Sequence, residues 1–373
     1  MLRLADPRFG DDAVAAIARV LASGRLTQGP VLEEFEQAIA RFCGARHALA
    51  TTSATTAIEL VLAALDVGPG DEVAVADFTY PATGNAVFQR RGQPVLVDAD
   101  PATYCVSPEA LERALTGRTK AVITVDVFGL PADYGAIEPL LAGRGIPLVC
   151  DGACALGGAI GDRRVGGFGL ATCFSFHPRK SLTTGEGGMV TTDDDALADR
   201  MRSLRNHGTR RTGWRASFVE PGFNYRMSEL NAALGLVQVP HHEATVARRG
   251  ELARGLDERL RGVPGVRPQA VPDGHRHPYQ SYVVTLEDER LERDATIEAL
   301  LAQGVESTLG TYAMHAEPAF MERCGTRPGD LPNSRRLAER TLALPLHERL
   351  REEDLDTVAA AVAAATRTPA RTS

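Results

Sequence analysis

Phe174-Ser175-Phe176-His177-Pro178-Arg179-Lys180-Ser181-Leu182-Thr183-Thr184-Gly185-Glu186-Gly187-Gly188-Met189 opens apolar, carries one lysine and closes on glycines. A lysine in such a setting can be held off solvent and near neutrality, the state in which an amine attacks an aldehyde. Ser175 offers a hydroxyl that can hold an anion beside it. Gly185, Gly187 and Gly188 let the backbone approach a bulky ligand or a neighbouring strand. Upstream, Leu148-Val149-Cys150-Asp151-Gly152-Ala153 reads as a buried strand ending in a carboxylate able to pair with a pyridinium nitrogen. Taken singly, a lysine is most often a solvated surface charge, and an aspartate after a strand is most often a turn or helix cap. Together, a lysine for an aldehyde, an aspartate for a ring nitrogen and a hydroxyl for a phosphate describe pyridoxal 5'-phosphate.

Outward from these stretches, residues 31–190 alternate between two periods. Helices are expected over 56–65, 81–89, 108–115 and 137–141, and apolar strands over 72–76, 94–98, 120–125, 146–150, 173–176 and 188–191. Near-continuous apolar strands between amphipathic helices signal a sheet covered on both faces. The expected fold is α/β, a doubly wound sheet whose ligands bind beyond the carboxyl ends of the strands. Asp151 and Tyr80 fall just past two such ends. A helix is expected over 193–206, and a long one from 227 through 260 that bridges to a second domain. Residues 262–278, rich in Gly, Pro and His, read as loop. Patterns over 281–286, 293–303, 334–342 and 352–365 describe a smaller α+β unit, and 366–373 a frayed tail. The division expected is a large domain over residues 1–245 and a small C-terminal domain over 246–373.

A chain of 373 residues accommodates such a pair of domains. Its formal net charge of −7 and lack of a basic run speak against a nucleic-acid or membrane-surface binder. No apolar stretch approaches the roughly 18 residues of a membrane span. The first residues lack an apolar signal region, so a cytoplasmic protein is expected. The six cysteines are scattered; Cys150 and Cys154 have no second pair to complete a metal site, and reduced thiols are expected.

Thr51-Thr52-Ser53-Ala54-Thr55-Thr56-Ala57 stands between an apolar stretch and a helix. Hydroxyls and free N–H groups at a helix N-terminus can bind an anion, but on the residues alone plain capping by Ser53 or Thr55 is the commoner use. From this point the chain resembles the DegT/StrS family of pyridoxal-phosphate sugar aminotransferases, of aspartate-aminotransferase fold type I. Ordered segments carry the resemblance: Gly29-Pro30-Val31-Leu32-Glu33-Glu34-Phe35-Glu36, Ser53-Ala54-Thr55, Gly68-Pro69-Gly70-Asp71-Glu72-Val73, Thr79-Tyr80-Pro81-Ala82-Thr83 and Val97-Asp98-Ala99-Asp100-Pro101. Phe128-Gly129-Leu130-Pro131-Ala132-Asp133, the lysine stretch, Leu204-Arg205-Asn206-His207-Gly208 and Gly222-Phe223-Asn224-Tyr225-Arg226-Met227 follow.

The resemblance implies a mostly parallel seven-stranded sheet and assigns roles. Lys180 would form the Schiff base and Asp151 would keep the ring nitrogen protonated. Tyr80 would stack on the ring. Ser53, Ala54 and Thr55 would cradle the phosphate, with Ser175 as a further ligand. Asn224, by itself a turn residue, would reach the phosphate of the other subunit in a homodimer with shared sites. Tyr312 and His315 would lie near the substrate. Two departures stand out: Cys154 occupies a position where the family usually has Gln or His near the cofactor's phenolic oxygen, and Ala54 replaces a glycine. The implied activity transfers an amino group from L-glutamate or L-glutamine to a keto group of a nucleotide-linked deoxysugar or cyclitol, in antibiotic or surface-glycan biosynthesis by analogy. A dehydratase or lyase using the same cofactor, or a non-catalytic homologue, are the rivals; the retained Lys180 favours transamination.

Overall fold

The computed structural model describes residues 1–367. Helices α1 (Asp11–Ser23), α2 (Pro30–Cys43), α3 (Ala54–Ala64), α4 (Ala82–Gln89), α5 (Pro108–Ala114) and α6 (Tyr134–Ala142) occupy the first part of the chain. With them run strands β1 (His47–Thr51), β2 (Glu72–Ala76), β3 (Phe78–Thr79), β4 (Gln93–Val97), β5 (Thr119–Val125), β6 (Leu148–Asp151), β7 (Ala159–Ile160), β8 (Arg163–Arg164), β9 (Ala171–Ser175) and β10 (Gly188–Thr192). Seven of the strands form one sheet in the order β1-β10-β9-β6-β5-β2-β4. The five from β9 to β4 pair in parallel, whereas β10 runs antiparallel to both its neighbours.

The reason lies in the sequence. The β2 residues Glu-Val-Ala-Val-Ala are buried at every position, as a strand covered on both faces requires. One apolar layer, including Phe35, Ile39, Tyr104 and Phe174, packs on one side; another, including Leu60, Val61, Val87 and Met201, packs on the other. Parallel pairing aligns the carboxyl ends of β5, β6 and β9, and so gathers Asp151 and the residues after Ser175 at the carboxyl end of the central strands.

Helix α7 (Asp195–Arg205) leads to a hairpin, β11 (Thr209–Thr212) and β12 (Arg215–Phe218), and then to α8 (Glu229–Leu236) and α9 (Val239–Leu260). The continuous helix expected from 227 to 260 is therefore interrupted at residues 237–238. Val237 and Gln238 keep right-handed helical dihedrals across the interruption, and Gln238 clasps Thr183: its Oε1 accepts from Thr183 N (3.2 Å) and its Nε2 donates to Thr183 O (2.7 Å). Pro240 sits in the first turn of α9, where its missing N–H has no partner to lose.

The last third holds β13 (Val266–Pro268), β14 (His275–Arg276), β15 (Tyr282–Leu286), α10 (Arg293–Ala302), β16 (Thr308–Leu309), β17 (Tyr312–Ala313), α11 (Pro318–Cys324), α12 (Pro332–Arg340), β18 (Thr341–Leu344) and α13 (Glu352–Arg367). Strands β13-β15-β18-β16 form an antiparallel sheet over a core that includes Leu252, Leu256, Leu260, Tyr282, Val358 and Val362. The stretch 262–278 expected as loop thus contributes two short strands, β13 and β14. Of the expected tail, Thr366 and Arg367 complete α13, and residues 368–373 lie outside the described ones. No helix among the described residues is long and apolar enough to cross a membrane.

Candidate active site

Asp151 ends β6 and is buried. Its Oδ2 accepts from Thr83 Oγ1 (2.7 Å) and its Oδ1 from Ala153 N (3.1 Å). Burial pushes the carboxyl above its usual range, while Thr83, Ala153 and the Lys180 ammonium pull it back. Asp126, one residue past β5, donates its N–H to Asp151 O (3.0 Å). Burial pushes the Asp126 carboxyl up to about 7, hydrogen bonds from Tyr134 and Ala132 oppose this, and the charge of Asp151 adds to it. Buried Asp151 gives the site an anionic floor, and a protonated ring nitrogen would answer it.

Lys180 lies on the loop between β9 and β10, partly buried, and its Nζ donates to Cys154 Sγ at 2.9 Å. The loop is held by amides. Gln280 Nε2 donates to Arg179 O (2.7 Å) and its Oε1 accepts from Ser181 N (3.0 Å). Asn231, on α8, donates to Thr184 O (2.6 Å). Gly185 takes φ +82°, which turns the chain back into β10.

The phosphate end is built by the first turn of α3. Ser53 caps that helix in a reciprocal box with Thr56, as the capping alternative foresaw: Ser53 Oγ accepts from Thr56 N (3.2 Å) and Thr56 Oγ1 accepts from Ser53 N (3.0 Å). The N–H groups of Ala54 and Thr55 belong to the first turn, where donors have no acceptor inside the helix. Ala54 is helical with φ outside the left-handed region, so alanine in place of glycine carries no backbone strain. Gly188 pairs with both Thr51 and Ser175, and a Cβ there would stand 2.4 Å from Ser53 O. That missing side chain brings the Ser53 turn against β10, next to the end of β9 that carries Ser175. Anionic floor, amine and helix N-terminus together fit pyridoxal phosphate by its ring nitrogen, aldehyde and phosphate.

Tyr80 precedes α4, is 64% exposed, and sets its ring 6.2 Å from that of Tyr312. The contact arises because β17 pairs with β3. His315 stands apart: it is fully buried, its N–H and Nδ1 meet the Asp77 carboxylate at 2.7 and 2.6 Å, and its Nε2 faces Pro328 O at 3.2 Å. With both ring nitrogens engaged, this histidine presents no free atom to a ligand and instead ties the Tyr312 segment to the residue after β2. Asn224 is exposed and bridges Asn206 through the backbone. Sequence reasoning did not single out Thr83, Gln280, Asn231 or Asp126 as site residues. Thr83 had a signal, being one helical turn from Tyr80; Gln280 had none, because its partners are about a hundred positions away.

Comparison with known proteins agrees with this geometry. The sequence matches the DegT/DnrJ/EryC1/StrS aminotransferase family over residues 7–363. It is 35% identical over 369 residues to the spore coat polysaccharide biosynthesis protein SpsC of Bacillus subtilis (strain 168), covering 95% of each chain. Among solved structures it resembles the aminotransferase TlmJ of Streptoalloteichus hindustanus (34% identity, TM-score 0.92, covering 98% of this chain and 99% of that one). It also resembles S. venezuelae DesV in complex with a ketimine intermediate (34% identity, TM-score 0.90, covering 96% and 95%). The carboxylate, the lysine and the helix N-terminus thus sit in a fold type I enzyme that uses pyridoxal phosphate, and the chain belongs to the DegT/DnrJ/EryC1/StrS aminotransferase family.

Proposed function

We propose that this chain is a cytoplasmic, homodimeric aminotransferase that moves an amino group from L-glutamate or L-glutamine onto a keto group of a nucleotide-linked deoxysugar or cyclitol. The observation that carries the reading is the gathering of Lys180, Asp151 and the first turn of α3 at the carboxyl end of the sheet. The polysaccharide pathway in the name of SpsC supports a sugar acceptor for a surface glycan, and an antibiotic sugar fits the same chemistry. Division into residues 1–245 and 246–373 belongs to this reading; the core of the C-terminal unit starts at Leu252.

Pyridoxal phosphate, when bound, supplies an aldehyde for the amine and a ring that accepts electrons. In the proposed roles, Asp151 holds a proton on the ring nitrogen, with Thr83 and Ala153 fixing the carboxylate's orientation. Lys180 Nζ would hold the cofactor by its aldehyde and, when free, would serve as the base and then the acid that moves the donor's α-proton. Cys154 Sγ, the acceptor 2.9 Å from Nζ, orients that amine. Ala54 and Thr55 N–H groups with Ser53 and Ser175 bind the phosphate, Tyr80 covers one ring face, Tyr312 borders the acceptor, and Asn224 reaches the phosphate of the other subunit.

The test supplies the purified enzyme with cofactor, each donor in turn and a panel of nucleotide-linked keto-deoxysugars and keto-cyclitols, with product masses as readout. An amino sugar that forms only with donor present is the expected result. Product formed without donor would point to a dehydratase or lyase. Cofactor linked to Lys180 with no product from any pair would sink the activity.

A further inference from the structure

We infer that Gln280 is the positioning residue for Lys180: it holds both peptide groups that flank the lysine and so sets where Nζ lies. The inference rests on the reading of Lys180 as the cofactor lysine. Three neutral amides grip the loop, but Asn231 and Gln238 hold Thr184 and Thr183, beyond the lysine. Only Gln280 straddles it, donating to Arg179 O at 2.7 Å and accepting from Ser181 N at 3.0 Å. A primary amide carries a donor and an acceptor on two separate atoms at one uncharged end, so it can bond two peptide groups of opposite polarity at once. A carboxylate would only accept and an ammonium would only donate, and either would set a charge near an amine that must shed a proton to react.

The surroundings of Gln280 are built to aim it. Tyr279, just before it, takes φ +49°, a left-handed conformation that a bulky residue adopts only when neighbours over-determine it. Those neighbours are present. His277 Nδ1 accepts Tyr279 N at 2.9 Å, which puts the ring proton on Nε2 facing Gln269 Oε1 at 3.2 Å. The His277 and Tyr279 rings stack with centroids 4.0 Å apart. Arg249, buried on α9, donates to Tyr279 O at 2.9 Å and Gln280 O at 2.8 Å. The peptide is thus clamped on both its carbonyls, and the side chain that leaves it lands on the lysine loop. Position is transmitted from α9 through Arg249 and Gln280 to Lys180, so the C-terminal unit sets the aim of an amine borne by the large sheet.

The test uses the full chain with Gln280→Met, which keeps length and removes both bonds, and Gln280→Glu, which keeps only the acceptor for Ser181 N. Three quantities are read where every variant is folded by circular dichroism. They are hydrogen exchange of the Ser181 amide in the cofactor-free chain, the rate of borohydride-trappable attachment of pyridoxal phosphate to Lys180, and affinity for 4'-deoxypyridoxine 5'-phosphate, which cannot link to lysine. For Gln280→Met the expected result is faster Ser181 exchange and attachment slowed at least about tenfold, with analogue affinity unchanged, since a misplaced reacting group is costly in rate. Gln280→Glu should keep Ser181 exchange near wild type but still slow attachment, because its carboxylate faces Arg179 O and favours the charged amine. Wild-type attachment rates in both variants would overturn the inference. So would a loss of analogue affinity that matches the loss of rate, which would mark a general support of the pocket. If the wild-type protein traps cofactor on another lysine, the proposed function fails on its own account.

Discussion

The lysine loop and the segment from His207 to Arg226 are built in opposite ways. The first is fastened by the side chains of Asn231, Gln238 and Gln280, and its Gly187 and Gly188 sit where no Cβ would fit. The second carries a hairpin with Arg210, Arg211, Trp214, Arg215 and Phe218 in solvent, Trp214 being 92% exposed, and ends in the exposed Asn224. A chain does not leave such a cationic, aromatic surface unpacked without cause. The contrast teaches that the surroundings of Lys180 and Asp151 are organised within one chain, while the surroundings of Asn224 are left open to solvent.

Substitutions can break or sharpen that contrast. The largest effect should come from the pre-organised half: Lys180→Ala is expected to abolish borohydride-trappable attachment and lower kcat by more than about a thousandfold, while 4'-deoxypyridoxine 5'-phosphate still binds. Asn224→Asp sets a carboxylate against a phosphate, and repulsion of several kcal/mol should leave the homodimer nearly inactive. Because Asn224 is proposed to act on the other subunit's site, mixing dissociated Lys180→Ala and Asn224→Asp protomers should restore about a quarter of wild-type activity, since half the dimers are mixed and each has one sound site. No recovery on mixing would place Asn224 in its own chain's site and erase the contrast. Next comes Asp151→Asn, expected to keep cofactor bound and cut kcat by at least about a hundredfold, roughly 3 kcal/mol of barrier; near-normal turnover would remove its role.

The smallest effect concerns stability. Asp126 is pushed up to about 7 by burial, above an unfolded value near 3.8. Below the unfolded value both states are protonated and there is no penalty. As pH rises from there through about 7, the unfolded state ionises more readily and the fold loses stability. Asp126→Asn in the cofactor-free protein should therefore raise Tm by a few degrees at about pH 8, with the gain shrinking toward pH 5. A gain of the same size at both pH values would mean that the carboxyl does not titrate in this window.

Local signals made the sheet and its catalytic end legible. Apolar strands ending in Asp151, glycines after Lys180 and hydroxyls before α3 each report their own surroundings. What escaped depends on distant partners. Helix α1 (Asp11–Ser23) buries only Ala13, Ala16 and Val20, a stripe too narrow to stand out among its alanines. The interruption before Val239 had a local sign in Pro240, which lacks the N–H that would continue the ladder to Leu236, whereas the Gln238 clasp on Thr183 had none. His315 reads as a candidate ligand until Asp77, 238 positions away, is seen to hold its ring. Gln280 follows the same rule: nothing within a few residues of it says that it will bracket a lysine.

The pairing of Thr51 and Ser175 with the same Gly188 has a bearing on biosynthesis. Strand β1 leaves the ribosome early, yet the strand that seats its following turn comes only after the lysine. The first turn of α3 therefore has no wall behind it until residues 188–192 emerge, and the bracket on Lys180 waits for Gln280. A nascent or truncated chain that stops between these points can fold several strands but has no place to keep the cofactor. If the site is the proposed one, cofactor is acquired late in synthesis, after residue 280 has emerged.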